Sequence, residues 1–586
     1  MIHVEQLKFS VAVIGGGMAG LCTALAAARH GADTVIVQNR PMFGGVASSE
    51  CKMHVCGADN HSNRPNARET GIIEELLLEN KRRNPGHNYY VWDMILWEKA
   101  YTQKNLTVLL NTHFTDVKTE QKRIVSIIAH QLTSERVFEI AADIFVDATG
   151  DGTLSAKAGA ECMTGQEARS VYGERHAPEA GNNSVMGSTI LFQAEDAGEA
   201  REFVKPSFAH EFSHEDLAHR DHSRCKSGYW WVEQSGDMND IIGNAEGTRD
   251  ELLKTAWGVW NHLKNEEHHK AEHANMQLTW MGMLPGKRDS RRVKGDYVLT
   301  GEDCFTHTVF PDTIGYGGWP MDMHAEGGFH NRELPPTNFI YLPDVYEVPY
   351  RCIYAKDFDN LMLAGRIVSA SHLAFGSLRV MCTLSVLGQA CGVAAAYALR
   401  HGLTPRGVLE HIGTLQQILL KEDAYLPNVK NSDPLDLART AAISASPSLA
   451  AADNVINGVT REVGGEGNAW ISNPLSETAA HLKLEFSETR VRQLRVTFDS
   501  NLSRPITPSI FYYVLEAQTE GMPHELVKDY NVIFSRRGKP VKTYETRGNY
   551  QRLNVIDTDT VCDAVTIKPL STHGAPCAKI FEIRIY

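Results

Sequence analysis

The sequence has no long apolar run, no regular cysteine spacing and no excess of positive charge, and each absence excludes a class of protein. No apolar run approaches the ~20 residues that a membrane-spanning helix needs, and the first residues lack the basic region and cleavage site of a signal peptide. The 11 cysteines are odd in number and irregularly spaced, which predicts reduced thiols. The formal net charge of -13 argues against nucleic-acid binding, which needs a basic surface. We therefore expect a cytoplasmic protein with no nucleic-acid partner and no membrane span.

The length and composition are those of a globular enzyme with more than one domain. The chain has 586 residues, of which 42% are hydrophobic and 22% are charged, which is ordinary for a globular protein. One hydrophobic core does not extend over so long a chain, so two or three domains are expected.

The first specific signature is VAVIGGGMAGLCTALAAARHGADTVIVQ, at residues 11–38. It predicts a strand, a glycine turn, a helix over residues 21–30 and a second strand. Gly15, Gly17 and Gly20 stand at G-x-G-x-x-G spacing, which permits a tight turn, close approach to a pyrophosphate and close helix–strand packing. The helix N-terminus offers N–H groups and a positive dipole end to the phosphates. The segment therefore predicts a dinucleotide site.

The residues after the second strand decide between FAD and NADP. The strand ends at Gln38-Asn39-Arg40 rather than at the usual acid, and the Gln38 amide can accept a ribose hydroxyl without carrying a charge. Arg40 could stack on adenine or meet a 2'-phosphate, which keeps NADP open. The pair Gly44-Gly45 follows, as expected where backbone must pass close to the extended FAD. We therefore favour FAD.

A second segment that agrees with FAD lies at residues 144–150. An apolar strand over residues 144–146 runs into Asp147-Ala148-Thr149-Gly150 and a turn of small residues. Such a strand end and glycine return the chain to the cofactor in flavoproteins. A glycine-rich turn with no ligand is the alternative.

A third segment combines a strand over residues 361–364, Gly365-Arg366 and a helix from about 380 to 400. Gly388 and Gly392 are four residues apart and so lie on one face of that helix. Each mid-helix glycine costs ~1 kcal/mol relative to alanine. The pair indicates a close backbone approach, either to the cofactor or to another element.

The order of these motifs resembles that of the FAD-dependent oxidoreductase family with the two-dinucleotide fold of glutathione reductase. Within it, VQNRPMFGGVASSECKMHVCGA and YGGWPMDMH resemble a bacterial subgroup in which glutamine at the strand tip is usual. The resemblance covers roughly residues 8–440. It implies an α/β fold with a Rossmann-like FAD-binding domain, formed by residues 1–170 and 345–440, and an inserted substrate domain at residues 171–344.

The predicted cofactor-binding residues belong to these glycine motifs and strand ends. They are Gly15, Gly17, Met18, Ala19, Gly20, Gln38, Asn39, Arg40, Gly44, Gly45, Val46, Ala148, Gly150, Asp151, Gly365, Arg366 and Gly388.

Four residues are predicted to be catalytic. His54 follows the glycine pair, where the chain of this fold runs toward the flavin ring, and it is a candidate general base or covalent attachment point. His372 and Arg379 flank a predicted turn near the flavin. An imidazole there could take a hydroxyl proton while hydride leaves for the flavin, and the arginine could hold the substrate or flavin O2. His324 is the fourth candidate.

The segment YGGWPMDMH, at residues 316–324, supplies the predicted substrate contacts. Trp319 could stack on a flat face of the substrate, and Asp322 and His324 could bind its hydroxyls. Arg288, in the basic segment GKRDSRRVKG, could bind an anionic group. A turn-rich loop and a solvated basic face are the alternatives.

No metal site is predicted. The spacing of Cys51, His54 and Cys56 matches no common zinc pattern. The histidine-dense segments HEFSHEDLAHRDHSRC, at residues 210–225, and EEHHKAEH, at residues 266–273, are interpreted as the solvated surface of helices.

Residues 445–586 have a different sequence pattern. Leu482, Leu484 and Phe486 alternate with polar residues, as do Leu494, Val496 and Phe498, which predicts an antiparallel β-sandwich. ADNVINGVTRE, NAWISNP and the terminal EIRIY resemble the discoidin-like, galactose-binding-like jelly roll. Glycan binding and a structural or dimer-forming role are both left open.

The sequence thus predicts an FAD-dependent oxidoreductase that transfers hydride between the flavin and a polar small molecule, with a carbohydrate or glycoside derivative as the leading candidate. Two alternatives stay open. One is a flavin-dependent lyase or isomerase without net redox change, and the other is a carbohydrate-binding protein with a vestigial flavin fold. Assembly as a homo-oligomer is also left open.

Overall fold

The computed structural model describes residues 4–220, 222, 225, 232–234, 236 and 240–586. The structure is mixed α/β, with a sheet-rich C-terminal part. The first of two compact units comprises Met1–Gly57, His87–Ile412 and Pro508–Leu515, and the second comprises Ala58–Gly86, Gly413–Thr507 and Glu516–Tyr586. The three-domain division stays a prediction, and it did not anticipate that residues 58–86 belong to the second unit.

The described helices and strands are as follows. The helices are α1 (Met18–Arg29), α2 (Ile72–Arg83), α3 (Tyr89–Thr102), α4 (Thr153–Ala158), α5 (Arg169–Tyr172), α6 (Ala245–Asn265), α7 (Gly301–Thr306), α8 (His372–Leu378), α9 (Met381–His401), α10 (Ile412–Lys421) and α11 (Tyr512–Glu516). The strands are β1 (Val4–Ile14), β2 (Thr34–Val37), β3 (Leu106–Leu109), β4 (Thr112–Glu120), β5 (Arg123–Gln131), β6 (Arg136–Asp147), β7 (Cys162–Met163), β8 (Ser188–Thr189), β9 (Phe192–Asp196), β10 (Glu233–Gln234), β11 (Met276–Met281), β12 (Gly286–Lys287), β13 (Arg292–Val293), β14 (Thr313–Gly317), β15 (Met321–His324), β16 (Thr337–Ile340), β17 (Tyr346–Pro349), β18 (Leu361–Leu363), β19 (Ala442–Ala445), β20 (Trp470–Ile471), β21 (Leu482–Phe498), β22 (Val527–Arg536), β23 (Lys539–Thr546), β24 (Leu553–Thr572) and β25 (Lys579–Ile585).

The main sheet of the first unit has seven strands in the order β3-β2-β1-β6-β5-β4, and β18 also pairs with β6. β1 pairs in parallel with β2 and β6, and β18 pairs in parallel with β6. Ile14 is in register with Val37 and Asp147, and Leu363 is also in register with Asp147. The carboxyl ends of these strands therefore meet at one edge, as ligand sites of parallel sheets require. The strand–helix–strand prediction for residues 11–38 is confirmed.

The burial of these strands explains their sequences. All of β2 and the last four residues of β1 are buried. Parallel strands that are covered on both faces have continuous apolar sequences rather than alternating ones. The runs VAVI and TVIV are of this kind.

Helices α1 and α9 contact each other through glycine. A Cβ atom on Gly388 would lie 2.3 Å from the carbonyl oxygen of Ala19, and one on Gly392 would lie 2.2 Å from that of Thr23. The Thr23 hydroxyl donates to the carbonyl oxygens of Ala19, at 2.8 Å, and Gly388, at 2.9 Å. The close approach predicted for this glycine pair is thus to another helix. The predicted cofactor contact of Gly388 is corrected accordingly, because its open face is filled by α1.

Helix α9 is long and apolar enough to cross a membrane on length and composition alone, and it is the one helix of the described residues that passes this test. Its apolar window has a mean hydropathy of 1.5, and 94% of that window is buried inside the protein. Buried core helices have the same properties. The expectation of no such apolar run was wrong for α9 on length and composition, whereas the expectation of no membrane span stays a prediction.

The two histidine-dense segments are not helices, contrary to the interpretation of their sequences. The described part of residues 210–225 is irregular apart from a short 3-10 turn at Glu215–Leu217 and the 3-10 conformation of Cys225, with residues 221, 223 and 224 lying outside the described chain. The second segment follows the end of α6 as a series of turns. A helix would have distributed these histidines over its surface. The irregular backbone instead allows their side chains to lie close together.

The second unit contains a seven-stranded sheet in the order β20-β25-β21-β24-β22-β23, with β19 paired to β21. All of its strand pairs are antiparallel, as predicted. The two alternating runs near residues 482 and 494 form one strand, β21, in which Leu482, Leu484, Leu494 and Val496 are buried. The jelly-roll arrangement stays a prediction.

The contact between α1 and α9 is tested by Gly388→Ala and Gly392→Ala. Alanine is the better helix former by ~1 kcal/mol, but here its methyl group would overlap the α1 backbone. We expect each variant to lower the free energy of unfolding by about 1–3 kcal/mol, as overpacking does, measured by urea denaturation. Gly413→Ala in α10 is the matched control, because no atom lies within 4 Å of its Cβ position. Equal effects at Gly388 and Gly413 would contradict the packing role.

Candidate functional site

The turn between β1 and α1 is shaped by backbone contacts that leave no room for side chains. Gly15 has φ +115°, and a Cβ atom on it would lie 2.1 Å from the carbonyl oxygen of Ala148. A Cβ atom on Gly20 would lie 2.1 Å from the carbonyl oxygen of Gly15. By contrast, no atom lies within 4 Å of the Cβ position of Gly17. The turn is therefore closed toward the protein and open at Gly17, the N-cap of α1.

The N-terminus of α1 is free to receive an anion. No side chain caps it, and its first turn has no acidic residue. Helix N-termini of this kind bind phosphates through their N–H groups and dipole. The donors at Gly17, Met18 and Ala19 therefore fit the phosphates of a dinucleotide.

The second glycine pair lies beside this turn. The Gly44 N–H donates to the carbonyl oxygen of Gly16 at 2.9 Å, and Gly44 forms a parallel bridge with Gly17. Gly44 and Gly45 have φ of +100° and +59°, and Val46 follows in a short 3-10 turn. A Cβ atom on Gly45 would lie 3.3 Å from the Gly17 Cα atom. The two predicted glycine motifs thus form one backbone cradle.

The side-chain amide of Gln38 stabilises this cradle through hydrogen bonds. Its Oε1 atom accepts from the Gly16 N–H at 2.9 Å, and its Nε2 atom donates to the carbonyl oxygen of Met42 at 3.1 Å. Both ends of the amide are therefore engaged by protein. Its neighbour Asn39 is exposed, and Arg40 donates from Nε to both carboxylate oxygens of Glu50, at 3.0 and 2.9 Å. The predicted ribose contact of Gln38 is untested, but its amide already holds the glycine turn.

The turn after β6 is the second side of the cradle. The buried Asp147 carboxylate accepts from the N–H groups of Thr149, at 3.0 Å, and Ser155, at 2.8 Å, which fixes Ala148 and Gly150. Burial raises the pKa of Asp147, against these hydrogen bonds. The fixed turn delivers the Ala148 carbonyl to Gly15.

Asp151 and Arg366 close this side with an ionic cluster. Asp151 contacts Lys287 Nζ at 2.6 Å, Ser290 Oγ at 2.9 Å and Arg366 Nη2 at 3.4 Å. Burial raises the pKa of Asp151, but Arg366 and Lys287 outweigh it and hold that pKa below its usual value. Arg366 follows Gly365, which has φ +85°. The Nη1 atom of Arg366 is buried and has no hydrogen-bond partner among the described residues, so it offers a donor to a phosphate or another acceptor.

His372 stands at the start of α8 and is paired with Asp289. Its Nδ1 atom lies 2.9 Å from Asp289 Oδ2, and both residues are buried. Burial raises the pKa of Asp289, but the hydrogen bond from His372 and the charge of Arg292 bring it below its usual value. An ionised carboxylate only accepts hydrogen bonds, so His372 Nδ1 carries the proton. Its Nε2 atom is then the nitrogen that can exchange a proton.

The other predicted polar residues meet in a buried network at the far end of α8. His324 Nδ1 lies 2.8 Å from Glu233 Oε2, and its Nε2 atom lies 3.2 Å from Asp322 Oδ2. Arg379 Nη2 donates to Asp322 Oδ2 at 2.6 Å, and Arg288 Nη1 lies 3.3 Å from Glu233 Oε2. We name these five residues the charged network. Both ring nitrogens of His324 face carboxylates, and its predicted catalytic role stays a prediction.

The basic partners of the two acids in the charged network keep these acids ionised. Burial raises the pKa of Asp322, but His324 and Arg379 hold it far below its usual range. The pKa of Glu233 is lowered in the same way by Arg288 and His324, against burial. Arg379 Nε and Arg288 Nη2 are buried and have no hydrogen-bond partner among the described residues. Each arginine therefore has one donor atom that no described residue engages.

The charged network and the His372 pair are joined through the backbone, because Arg288 belongs to one and the adjacent Asp289 to the other. Both sequence motifs, GKRDSRRVKG and YGGWPMDMH, therefore contribute to one region. Sequence reasoning missed Asp289 and Glu233. Asp289 stood within the basic segment and could have been suspected as its one acid, whereas no signal marked Glu233.

A small, partly open cleft lies beside His372. Its polar lining comes from Gln166, Glu167, Glu174, His176 and His372, and Met323 and Leu373 are among its apolar residues. Burial raises the pKa of Glu174, against its hydrogen bonds with Ser371 and Gly301.

The remaining predicted residues lie apart from this cleft lining. His54 is buried, with its ring edge-on to Phe511 at 4.9 Å between centroids, and its predicted roles are untested. Trp319 is also buried, and its carbonyl oxygen accepts from the Ser377 hydroxyl at 2.5 Å. The predicted stacking role of Trp319 stays a prediction. Burial raises the pKa of the Cys51 thiol to about 12.

The charged network is tested by Asp322→Asn. Removing one charge from a buried pair should lower the free energy of unfolding by about 3–5 kcal/mol at neutral pH. Because the pKa of Asp322 is lowered in the folded protein, its contribution is present above the ordinary aspartate pKa of about 3.9 and is lost as pH falls below it. In urea denaturation over a pH series, the difference in the free energy of unfolding between parent and variant should become smaller below about pH 4. The exposed Asp143 provides the control Asp143→Asn, and a difference that is constant down to the lowest pH would contradict the assignment.

Comparison with known proteins identifies the family. The model for FAD dependent oxidoreductases matches residues 10–419, more than half of the chain. Comparison with curated proteins gives no match. Among solved structures, a fucose binding module from Streptococcus pneumoniae is 12% identical over 26% of this chain and 96% of its own, with a TM-score of 0.20. The family 32 module from C. perfringens NanJ, in complex with galactose, is 13% identical over 26% of this chain and 97% of its own, with a TM-score of 0.19. No conclusion about this chain rests on similarities of this size. On the family match, the chain belongs to the FAD dependent oxidoreductase family, is an FAD-dependent oxidoreductase and has FAD as its cofactor.

Proposed function

We propose that the enzyme transfers hydride between FAD and a small hydroxyl-bearing substrate in the cleft beside His372, with carbohydrates or glycoside derivatives as the substrate class. The observation that carries this proposal is the His372–Asp289 pair, at 2.9 Å, in a cleft with five polar lining residues. A hydroxyl-rich molecule can both donate to carboxylates and accept from imidazoles and amides. An apolar substrate would leave these groups unpaired at a cost of about 1–3 kcal/mol each.

His372 is the proposed acid–base group. FAD, when bound, supplies the hydride acceptor or donor. In the oxidative direction His372 Nε2 takes the proton of the substrate hydroxyl, and in the reductive direction it returns the proton to the carbonyl oxygen. Asp289 holds the ring in the tautomer that this exchange needs and stabilises the charged ring after proton uptake, as the carboxylate partner of a histidine does in other enzymes.

The two arginines are the proposed orienting groups. Arg288 and Arg379 are buried beside acids that neutralise part of their charge, and each keeps one unpartnered N–H group. Donors held by a rigid network bind an oxygen without rearrangement, which favours a defined substrate orientation. His324 acts through Asp322 and Glu233 and contacts neither the substrate nor the cofactor.

The glycine cradle is the proposed FAD phosphate site within a Rossmann-like domain. Gly17 and the N-terminus of α1 face the pyrophosphate, Gly44 and Gly45 let its chain pass, and Arg366 Nη1 donates to it. Gln38 contributes by fixing the Gly16 N–H rather than by carrying charge. We also propose a jelly-roll arrangement for residues 445–586 and a cytoplasmic location for the enzyme.

The role of Gln38 in stabilising the glycine cradle is tested by Gln38→Ala. Loss of the hydrogen bond to the Gly16 N–H removes about 1 kcal/mol, so FAD should bind to the apoprotein about five- to tenfold more weakly. Quenching of FAD fluorescence on titration measures this affinity. Gln6→Ala, which removes an exposed amide bonded to Glu139 on the same sheet, is the control and should bind FAD as the parent does. Unchanged FAD affinity in Gln38→Ala would contradict the bracing role.

The acid–base role is tested by His372→Gln and Asp289→Asn. With a sugar or polyol that reduces the enzyme under anaerobic conditions, the loss of flavin absorbance at about 450 nm follows the reaction. We expect His372→Gln to slow this step by about 10²–10⁴-fold, the usual contribution of a general base, while FAD content stays unchanged. His113→Gln, at an exposed position on β4, should react as the parent.

Three outcomes would decide against the proposal. Flavin reduction in His372→Gln at the parent rate would exclude His372 as the base. Turnover of a sugar without any absorbance change, and without an external acceptor, would favour the redox-neutral lyase or isomerase. Reduction by apolar alcohols in preference to polyols would contradict the substrate class.

A further inference from the structure

Four histidines converge in the first unit, and none of them is a residue proposed to hold FAD or substrate. They are His214 and His222 from the first histidine-dense segment, His262 near the end of α6, and His269 from the second segment. One ligand nitrogen from each lies within 4.8 Å of the others. We propose that these four side chains, named the histidine cluster, bind one Zn²⁺ ion that holds the chain at His214 and His222 against the end of α6.

The nitrogen spacing suits a zinc ion. The closest pair is His214 Nδ1 and His269 Nε2, at 3.2 Å. Four nitrogens around Zn²⁺ at 2.0–2.1 Å are about 3.3 Å apart in a tetrahedron. One edge of the tetrahedron is therefore already present, and the remaining nitrogen separations, all within 4.8 Å, shorten to this value when the ion binds.

The arrangement of the rings favours a tetrahedron over a square. The six centroid distances run from 4.5 to 6.4 Å. In a square, both pairs of diagonally opposite rings would be the longest. Here the longest distance, 6.4 Å for His214 and His262, is opposite the shortest, 4.5 Å for His222 and His269. Tetrahedral ligation suits Zn²⁺, whereas Cu²⁺ and Ni²⁺ prefer square arrangements of nitrogen ligands.

His262 is prepared for ligation by its other ring nitrogen. Nδ1 lies 2.9 Å from the carbonyl oxygen of Phe212, which can only accept a hydrogen bond. The proton is therefore on Nδ1, and Nε2 carries the lone pair. That Nε2 atom is buried and has no hydrogen-bond partner among the described residues. Histidine ligands of metals typically donate their second nitrogen to a backbone carbonyl or a carboxylate in this way.

Both backbone segments around the cluster are held by other contacts. Buried Lys264 donates from Nζ to the carbonyl oxygens of His273, Ala274 and Met276, each at 2.8 Å, which fixes the chain that follows His269. Asp216 accepts from the Ser213 N–H at 2.8 Å and pairs with Arg332 Nη1 at 2.5 Å, which fixes the chain beside His214. A site built on fixed segments loses little conformational entropy when it binds its ion.

The donor set determines the class of ion. Four imidazoles and no carboxylate disfavour Mg²⁺ and Ca²⁺, which require oxygen ligands. The nearest glutamate in the second segment, Glu266, is engaged by His268 at 3.0 Å. Four protein ligands leave no position for water or substrate, which is typical of structural rather than catalytic zinc. The inference therefore adds a structural metal and leaves the proposed redox chemistry unchanged.

The test uses untagged, FAD-loaded full-length protein. Bound metal is removed with a chelator, and Zn²⁺ is titrated back by calorimetry, with metal content determined by mass spectrometry. We expect one Zn²⁺ per chain in the parent. His214→Gln and His222→Gln should each weaken binding by at least the roughly 10–100-fold that loss of an outer-shell partner costs. His219→Gln, at an exposed histidine of the same segment, is the matched control and should bind as the parent.

Two further measurements keep the result decisive. Zn²⁺ should raise the Tm of the parent and of His219→Gln but not that of His214→Gln, with FAD absorbance reporting that each variant is folded. X-ray absorption at the zinc edge should give four nitrogen ligands at about 2.0 Å. The inference is overturned if the parent takes up no stoichiometric Zn²⁺, if the His214→Gln/His222→Gln double variant binds as tightly as His219→Gln, or if sulfur or oxygen ligands dominate the spectrum.

Discussion

Backbone approaches the glycine turn before α1, and α1 approaches α9, so closely that no Cβ atom fits at Gly15 or at Gly388. The carbonyl of Ala148 occupies the space of a side chain at Gly15, and the carbonyl of Ala19 does the same at Gly388. One contact brings the turn after β6 against the glycine turn, and the other seats α9 on α1. Because these distances are set by backbone, they do not depend on rotamers. The cradle at Gly17 and Gly44 exists because both contacts hold α1 in place.

The charged network depends on a different constraint, which is the cost of burying charge. Glu233, Asp322, Arg288 and Arg379 are largely removed from water, and each is stable there only because an opposite charge lies within about 3 Å. Such a group tolerates few arrangements, since moving one member leaves the next unpaired. The network therefore ties β10, the segment after β12, β15 and the end of α8 into one relative position. Because the network is rigid, the remaining N–H donors of the two arginines are held in fixed positions.

The sequence predicted features whose partners are near in the chain and left open those whose partners are distant. The β1–α1–β2 unit follows from local glycine spacing and apolar periodicity, and it is found as predicted. Gly388 carried a recognisable cost, but its partner Ala19 is 369 positions earlier in the numbering, so the sequence could not choose between cofactor and helix. His372 and Arg379 were found by motif, whereas Asp289 was missed because its role exists only through His372. The histidine-dense segments misled the prediction because a helix was assumed, and only irregular backbone brings His214 and His269 together.

The two polar sites of the first unit are connected by the elements that carry them. Glu233 lies in β10, a strand of two residues that pairs with β8 through Thr189 and Ser188. So short a strand has little stability of its own, and its position depends on the elements that cover it. Helix α6, which ends beside the histidine cluster, packs its buried face with Ile190, Phe192 and Val232 in one apolar core. Val232 precedes Glu233 directly, so the position of α6 limits the position of that carboxylate. An ion that fixes the end of α6 would therefore also steady the acid that orients His324 and Arg288, although it would lie outside the reacting groups.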